Sequence, residues 1–446
     1  MTSLSNLCTN VSIEKPLTIF WFRRDLRLFD NTALFFALSQ NEAVLPLFIF
    51  DEAINSELAI NDGRITFIYN TLNTLKLQLE KIGSSLLLIK GNVISIFEKL
   101  IAQYPIKAVY ANHDYEPYSL MRDSEVATLL SKSGVQFFSF KDQVVFEKLE
   151  ICKHDGNPYT VFTPYMRRWK SELKTKHLEQ YNLEPYYANF VKAKPFQLFG
   201  LHEIGFERCD IFIVAAQIEI STIKQYAQLR DFPAADATTR LGIHLRFGTI
   251  SLRQLAAIAL QHSDIYLNEL IWREFYMMIL WNFPKVVTQS FKSKYDNIPW
   301  VNNAQQFAAW CDGTTGYPLV DAGMRQLNQT GYMHNRVRMV VSSFLTKHLL
   351  IDWRWGEAYF AAKLLDYELA SNNGGWQWAA STGCDAVPYF RIFSPDAQLK
   401  RFDPQMKYVK RWIPEFGTAA YPIPMVEHAM ARKRAIDTYY YVSTHF

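Results

Sequence analysis

The stretch Leu369-Ala370-Ser371-Asn372-Asn373-Gly374-Gly375-Trp376-Gln377-Trp378-Ala379-Ala380 holds the most unusual chemistry of this 446-residue chain. Gly and Asn tolerate backbone angles that other residues avoid. Trp is costly to expose and stacks on flat ring systems. Two adjacent Asn, two adjacent Gly and two Trp one residue apart suit neither a plain helix nor a plain strand. The pattern predicts a backbone and two indoles held close to something planar: a flavin, a base, or both.

Three other segments carry reactive side chains. Thr238-Thr239-Arg240-Leu241-Gly242 precedes a predicted helix, where hydroxyls and free N–H groups suit a phosphate. Taken alone, a simple helix cap is the commoner explanation. In Asn268–Tyr276, residues Glu269, Trp272, Arg273 and Tyr276 are spaced by three, four and seven and share a helix face. That face lines a cavity or forms a half-buried helix with one internal ion pair. In His334–Met339, Asn335, Arg338 and Met339 fall on one side, with Arg336 nearer the rim. They offer a bidentate amide, a phosphate clamp and an adaptable apolar contact. No His-x-x-x-His pairs His334, which reads as a core residue, and no metal site is assigned. Trp300, Trp353 and Trp376 are, by default, core fillers.

The elements that must position these residues divide the chain in two. Apolar runs at Leu17–Phe22, Val44–Phe50, Ser85–Lys90, Ala108–Asn112 and Val135–Phe140 alternate with amphipathic stretches such as Gly63–Glu80 and Ser119–Ser131. This alternation predicts an α/β domain with a doubly wound parallel sheet over residues 17–140. Arg23-Arg24-Asp25-Leu26-Arg27 follows the first strand in place of a Gly-rich fingerprint, which disfavours an ordinary dinucleotide site there. Residues 141–205 read as a long connection. From 206 to 446 the patterns are helical, as in Leu252–Gln261, Tyr266–Trp281, Ala322–Asn328 and Val337–Leu350. Nine of the 11 Trp lie after residue 270. Residues 1–16 read as a loose leader.

Composition leaves room for this plan. Hydrophobic residues at 49% and aromatics at 15% supply two cores. A net charge of +4 permits nucleic-acid binding through a local patch without demanding it. Five scattered Cys argue against a disulfide framework and fit a reducing cytosol. No run reaches the length of a membrane-spanning helix.

Taken together, the segments resemble the photolyase/cryptochrome family, and within it the class I-type cyclobutane pyrimidine dimer photolyases. The N-terminal match is Phe20-Trp21-Phe22-Arg23-Arg24-Asp25-Leu26-Arg27-Leu28 with Asp30-Asn31. The C-terminal match is denser: Gly316 to Arg325, Met333 to Met339, Asp352-Trp353-Arg354, Ala370 to Thr382, and Tyr389 to Phe393. The resemblance spans about Leu17 to Glu415.

It implies FAD in the helical domain and a second, antenna chromophore (folate, deazaflavin or flavin) in the α/β domain. Carried residue by residue, Tyr226, Thr238, Thr239, Arg240, Leu241 and Gly242 would hold the FAD phosphates. Arg273 would lie against the flavin site, and Arg338 and Asp366 would pair beside the isoalloxazine, followed by Tyr367 and Glu368. Asn372 would face its N5 position and tune the semiquinone. Trp376, Trp353 and Trp300 would pass electrons to the flavin under light. UV-damaged DNA is the implied partner, its dimer flipped out above the flavin. Trp272 and Trp378 would stack on the dimer, Met339 would lie beneath it, and Glu269 and Asn335 would bond base edges. Arg230, Arg336 and Gln398 would reach the DNA near the lesion. The implied activity is a light-driven lyase acting as a monomer in the cytosol, without an obligate protein partner.

Two departures stand out. The family often has Ser-Pro where Gly242-Ile243 stand, and Gly-Asp where Tyr367-Glu368 stand. A signalling cryptochrome, a (6-4) photolyase and a flavin protein without DNA activity are the alternatives. Asn112, Asp114 and Glu116, just past a strand, are candidate antenna contacts or simply solvated groups.

Overall fold

Five apolar runs in the first part of the chain pair as parallel strands: β1 (Leu17–Phe22), β2 (Val44–Asp51), β3 (Leu87–Gly91), β4 (Ile106–Asn112) and β5 (Gln136–Phe140). Their order is β3-β2-β1-β4-β5, with Thr18 of β1 opposite Val44 on one side and Ala108 on the other. Every residue of β1 and β2 is buried. Helices covering both faces explain why these strands read as continuous apolar runs rather than alternating ones. The helices that return the chain are α1 (Thr32–Gln40), α2 (Gly63–Lys81), α3 (Val93–Gln103) and α4 (Pro117–Lys132). Asn31, Asp62 and Asn92 cap the first three by accepting backbone N–H groups.

The computed structural model describes residues 10, 11 and 15–446. Most of the expected leader, residues 1–9 and 12–14, lies outside the described residues. The chain forms two compact units built from interleaved segments. One comprises residues up to 147 with 173–216 and 241–257, and the other comprises 148–172, 217–240 and 258–446. The stretch 141–205 is therefore shared between the units instead of standing apart as a connection. It also contains a helix, α5 (Phe162–Glu172), that belongs to the second unit.

The second unit is helical. Its main elements are α5, α6 (Ile220–Leu229), α7 (Asp264–Asn282), α8 (Ala304–Asp312), α9 (Pro318–Thr330), α10 (Asn335–Ser343), α11 (Trp353–Lys363), α12 (Leu369–Ala379) and α13 (Pro395–Phe402). Ser263, His334, Asp352 and Glu368 cap α7, α10, α11 and α12. Among the described residues no helix is long and apolar enough to cross a membrane.

The expectation that Leu369–Ala380 forms no plain helix is corrected, because Leu369–Ala379 is an α-helix. Its glycines answer to neighbours rather than to backbone angles. A Cβ on Gly374 would lie 2.1 Å from the Tyr276 ring, so α12 can approach α7 this closely only with glycine there. A Cβ on Gly375 would meet nothing within 4 Å.

Candidate functional site

Helix α12 packs against α7, α10 and α11, and these helices enclose a cavity of about 380 Å³. From α7, Glu269, Trp272, Arg273 and Tyr276, which share a face by their spacing, all line it. From α10 come Asn335, Arg338, Met339 and Ser342; from α12 come Ser371, Asn372, Gly375, Trp376 and Trp378. Arg230, at the end of α6, and Asp366, Tyr367 and Glu368, just before α12, complete the set that the sequence singled out.

The charges inside are paired. Arg338 donates from Nη2 to both carboxylate oxygens of Asp366, at 2.9 and 3.1 Å, and from Nε to the Met333 carbonyl at 2.7 Å. Its guanidinium is thus locked in one plane. Arg230 forms an ion pair with Glu269. Burial pushes the Glu269 carboxyl up, and Arg230 only partly offsets it. Asn372 donates both amide hydrogens to Glu357 of α11, to its carbonyl at 3.1 Å and its Oε1 at 2.8 Å. These two bonds fix the orientation of the Asn372 amide. Glu357 went unnoticed in the sequence, because a contact between two helices leaves no local pattern.

Trp272 has one face already covered. Phe162 of α5 stacks on it at 3.7 Å with 7° between the planes. This contact too had no sequence signal. Trp376 is 2% exposed and packs edge-on against Phe360 and Trp310. Trp353 is buried in the same apolar cluster, and half-buried Trp300 packs against that cluster.

The remaining expected residues lie off the cavity lining. Thr238 and Thr239 exchange hydrogen bonds with the hydroxyls of Tyr332 and Tyr266, at 3.0 and 2.9 Å. Tyr226 packs edge-on against Tyr266. Arg240 pairs with Asp236, and both residues hold positive φ, 51° and 50°. Two left-handed non-glycine residues so close together mark a loop held in an unusual shape. Leu241 and Gly242 belong to the α/β unit, where Gly242 starts a short helix to Phe247. Arg336 donates to Asp231 at 2.6 Å and stacks over Phe402 of α13, the helix that carries Gln398.

His334 is 3% exposed, and its Nδ1 accepts the Arg336 N–H. Burial, then the charges of Arg338 and Arg336, holds its imidazole down to about 4. In the α/β unit, Asp114 and Glu116 are held in ion pairs rather than left as free loop acids. Arg24 pairs with both at 3.0 Å, and Arg246 pairs with Glu116 at 2.6 Å. Asn112 is likewise buried, donating to Asp25 and Asn31. Against the upward push of burial, Arg24 and Arg246 hold the Asp114 carboxyl below its usual range.

Comparison with known proteins agrees with this geometry. Residues 18–184 match the family model for DNA photolyase, and residues 266–420 match that for the FAD binding domain of DNA photolyase. A deoxyribodipyrimidine photo-lyase of Synechococcus is 37% identical, over 93% of this chain and 95% of that protein. The chain belongs to the DNA photolyase family. Two solved photolyases share its fold along nearly the whole length. The bacterial class III photolyase of Agrobacterium tumefaciens superimposes with a TM-score of 0.85 at 31% identity, over 97% of this chain and 98% of the other. The archaeal photolyase of Sulfolobus tokodaii, solved with two FAD molecules, gives 0.81 at 32% identity, over 95% and 100%.

The cavity suits the FAD that this photolyase-family domain binds. Gly375 leaves open space where a side chain would stand, and α12 presents that opening beside a locked guanidinium and an oriented amide.

Proposed function

We propose that this chain holds FAD in the helical cavity and repairs cyclobutane pyrimidine dimers in UV-damaged DNA under light, as a monomer in the cytosol. The observation that carries this reading is one cavity lined both by Arg338, Asp366, Asn372 and Trp376 and by Glu269, Trp272, Asn335 and Met339. Bound reduced FAD supplies light-driven donation of one electron to the dimer and its recovery. The Arg338–Asp366 pair would fix charge beside the flavin, and Asn372, oriented by Glu357, would offer it a hydrogen bond. Thr238 and Thr239, now bonded to Tyr332 and Tyr266, would help hold its phosphates. Trp272, with Trp378, stacks on the flipped dimer, while Phe162 backs Trp272 and keeps it rigid. Glu269, its carboxyl pushed up by burial, and Asn335 bond the base edges. Arg230, Arg336 and Gln398 contact the DNA, and the two arginines give up acidic partners to do so.

Dimer splitting needs an electron out and back and no proton donor. Asn335 and Met339 do not titrate, and His334 stays neutral far below neutral pH. This favours the cyclobutane dimer over the (6-4) product, whose repair needs a proton.

Trp272→Ala is expected to weaken binding of dimer-containing DNA by roughly one to two decades, since base–aromatic stacking is worth about 1–3 kcal/mol per base. Binding of undamaged DNA should hardly change. Titration of labelled oligonucleotides at fixed salt checks this, and equal loss on both would make Trp272 purely structural.

A further inference from the structure

Two arginines and two acids form one cluster in the helical unit, and Asp231 links them. It follows Arg230 at the end of α6, and its side chain is 37% exposed. Its Oδ1 accepts from Arg336 Nη2 at 2.6 Å and lies 4.0 Å from Arg230 Nε. Arg230 is also paired with Glu269, so the charges run Arg336, Asp231, Arg230, Glu269 and cancel. The Asp231 charge reaches Glu269 too, where it adds to the upward push of burial on that carboxyl.

Arg336 is held more loosely than Arg338. Arg338 spans both oxygens of Asp366 and a backbone carbonyl. The Arg336 guanidinium has one carboxylate oxygen, and its Nη1 reaches the thioether of Met339 at 3.7 Å. Among the described residues its buried Nε has no hydrogen-bond partner. Exchanging Asp231 for another oxyanion therefore forfeits one bond to a partly exposed acid, and such pairs are weak in water. The guanidinium also lies over the buried Phe402 ring, 4.5 Å from its centroid. That contact keeps its plane oriented while its partner changes.

We propose that Asp231 is a specificity residue: it occupies Arg336 as an internal stand-in for a DNA phosphate and releases it when a dimer engages Glu269. This rests on the reading that the cavity takes a flipped dimer out of DNA. A thymine imide N–H bonded to the Glu269 carboxylate competes with Arg230 for it. Arg230 then closes its Nε on Asp231 and keeps its other nitrogens for phosphate. Asp231, newly paired, yields Arg336 to the backbone beside the lesion. Undamaged duplex leaves Glu269 with Arg230, so Asp231 keeps Arg336 and that DNA is gripped by one phosphate contact fewer. Undamaged sites compete for the enzyme in vast excess, so a contact withheld from them raises the preference for lesions.

The test titrates FAD-loaded protein in darkness against two labelled duplexes that differ by one cyclobutane thymine dimer, over a series of salt concentrations. Asp231→Asn keeps the side-chain shape and removes the charge. It should tighten binding of undamaged duplex by about tenfold and steepen the slope of log K against log salt by about one. Binding of dimer DNA should change by less than about threefold. Arg336→Gln should cost about tenfold on dimer DNA and little on undamaged duplex. In the double variant the gain on undamaged duplex should vanish, whereas a general effect of removing a negative charge would persist. Equal gains on both duplexes in Asp231→Asn, no gain on either, or a gain that survives Arg336→Gln would overturn the proposal. Equal loss on both duplexes in Arg336→Gln alone would overturn it as well. Failure of the underlying reading looks different: wild-type protein then shows no preference for the dimer-containing duplex.

Discussion

Trp376→Phe is expected to slow light-driven reduction of bound oxidised flavin by about two orders of magnitude, equivalent to about 2.7 kcal/mol in barrier. Trp376 lines the cavity from α12 and is sealed from solvent, so it stands between the flavin and the Trp353 and Trp300 expected behind it. Phenylalanine fills most of the same space, and the loss of packing should be modest. Flavin content and melting temperature should therefore stay near wild type while the photoreduction rate collapses. A variant that photoreduces as fast as wild type would remove Trp376 from the path.

The second large effect separates two neighbouring glycines. Gly375→Leu should drive a side chain into open cavity space beside Asn372, costing about 1–3 kcal/mol of FAD affinity by overpacking. That is roughly one to two decades in affinity. The apoprotein should fold normally, because a Cβ there meets nothing within 4 Å. Gly375→Ala should even stabilise the apoprotein by about 0.5–1 kcal/mol through helix propensity. Gly374→Ala should behave oppositely, since its Cβ would fall 2.1 Å from the Tyr276 ring. It should destabilise apoprotein and holoprotein alike by about 1–3 kcal/mol. Chemical denaturation with and without FAD, plus a flavin titration, distinguishes these outcomes. Unchanged FAD affinity in Gly375→Leu would exclude that face of α12 from the cofactor site.

These two glycines also show where the sequence misleads. Adjacent Gly and Asn argued against a helix, yet the segment is helical: Gly374 is required by a ring of α7, and Gly375 stands beside open space. Local backbone preference was outweighed by tertiary contact. The strands were legible for the opposite reason: burial on both faces leaves continuous apolar runs that punctuation by Asn and Asp caps sets off. The face formed by Glu269, Trp272, Arg273 and Tyr276 was legible because helical spacing is a local property. Phe162 behind Trp272 and Glu357 behind Asn372 were not, since each meets its partner across long sequence separation. The interleaving of the two units was hidden too, because residues 148–172 carry no composition shift that assigns them to the helical unit. Asp114 and Glu116 looked like solvated loop acids, and only the approach of Arg24 and Arg246 reveals an internal ion network.

The central claim is light-driven repair of the cyclobutane dimer by FAD held in this cavity. Its most direct test mixes FAD-loaded, chemically reduced protein with two oligonucleotides, one bearing a cyclobutane thymine dimer and the other a (6-4) product. Each is incubated under blue light and in darkness, and intact thymines are counted by chromatography. The expected result is restoration of the cyclobutane substrate in light only, with the (6-4) substrate unchanged. Repair of the (6-4) product without cyclobutane activity, or no repair of either in light, would contradict the account.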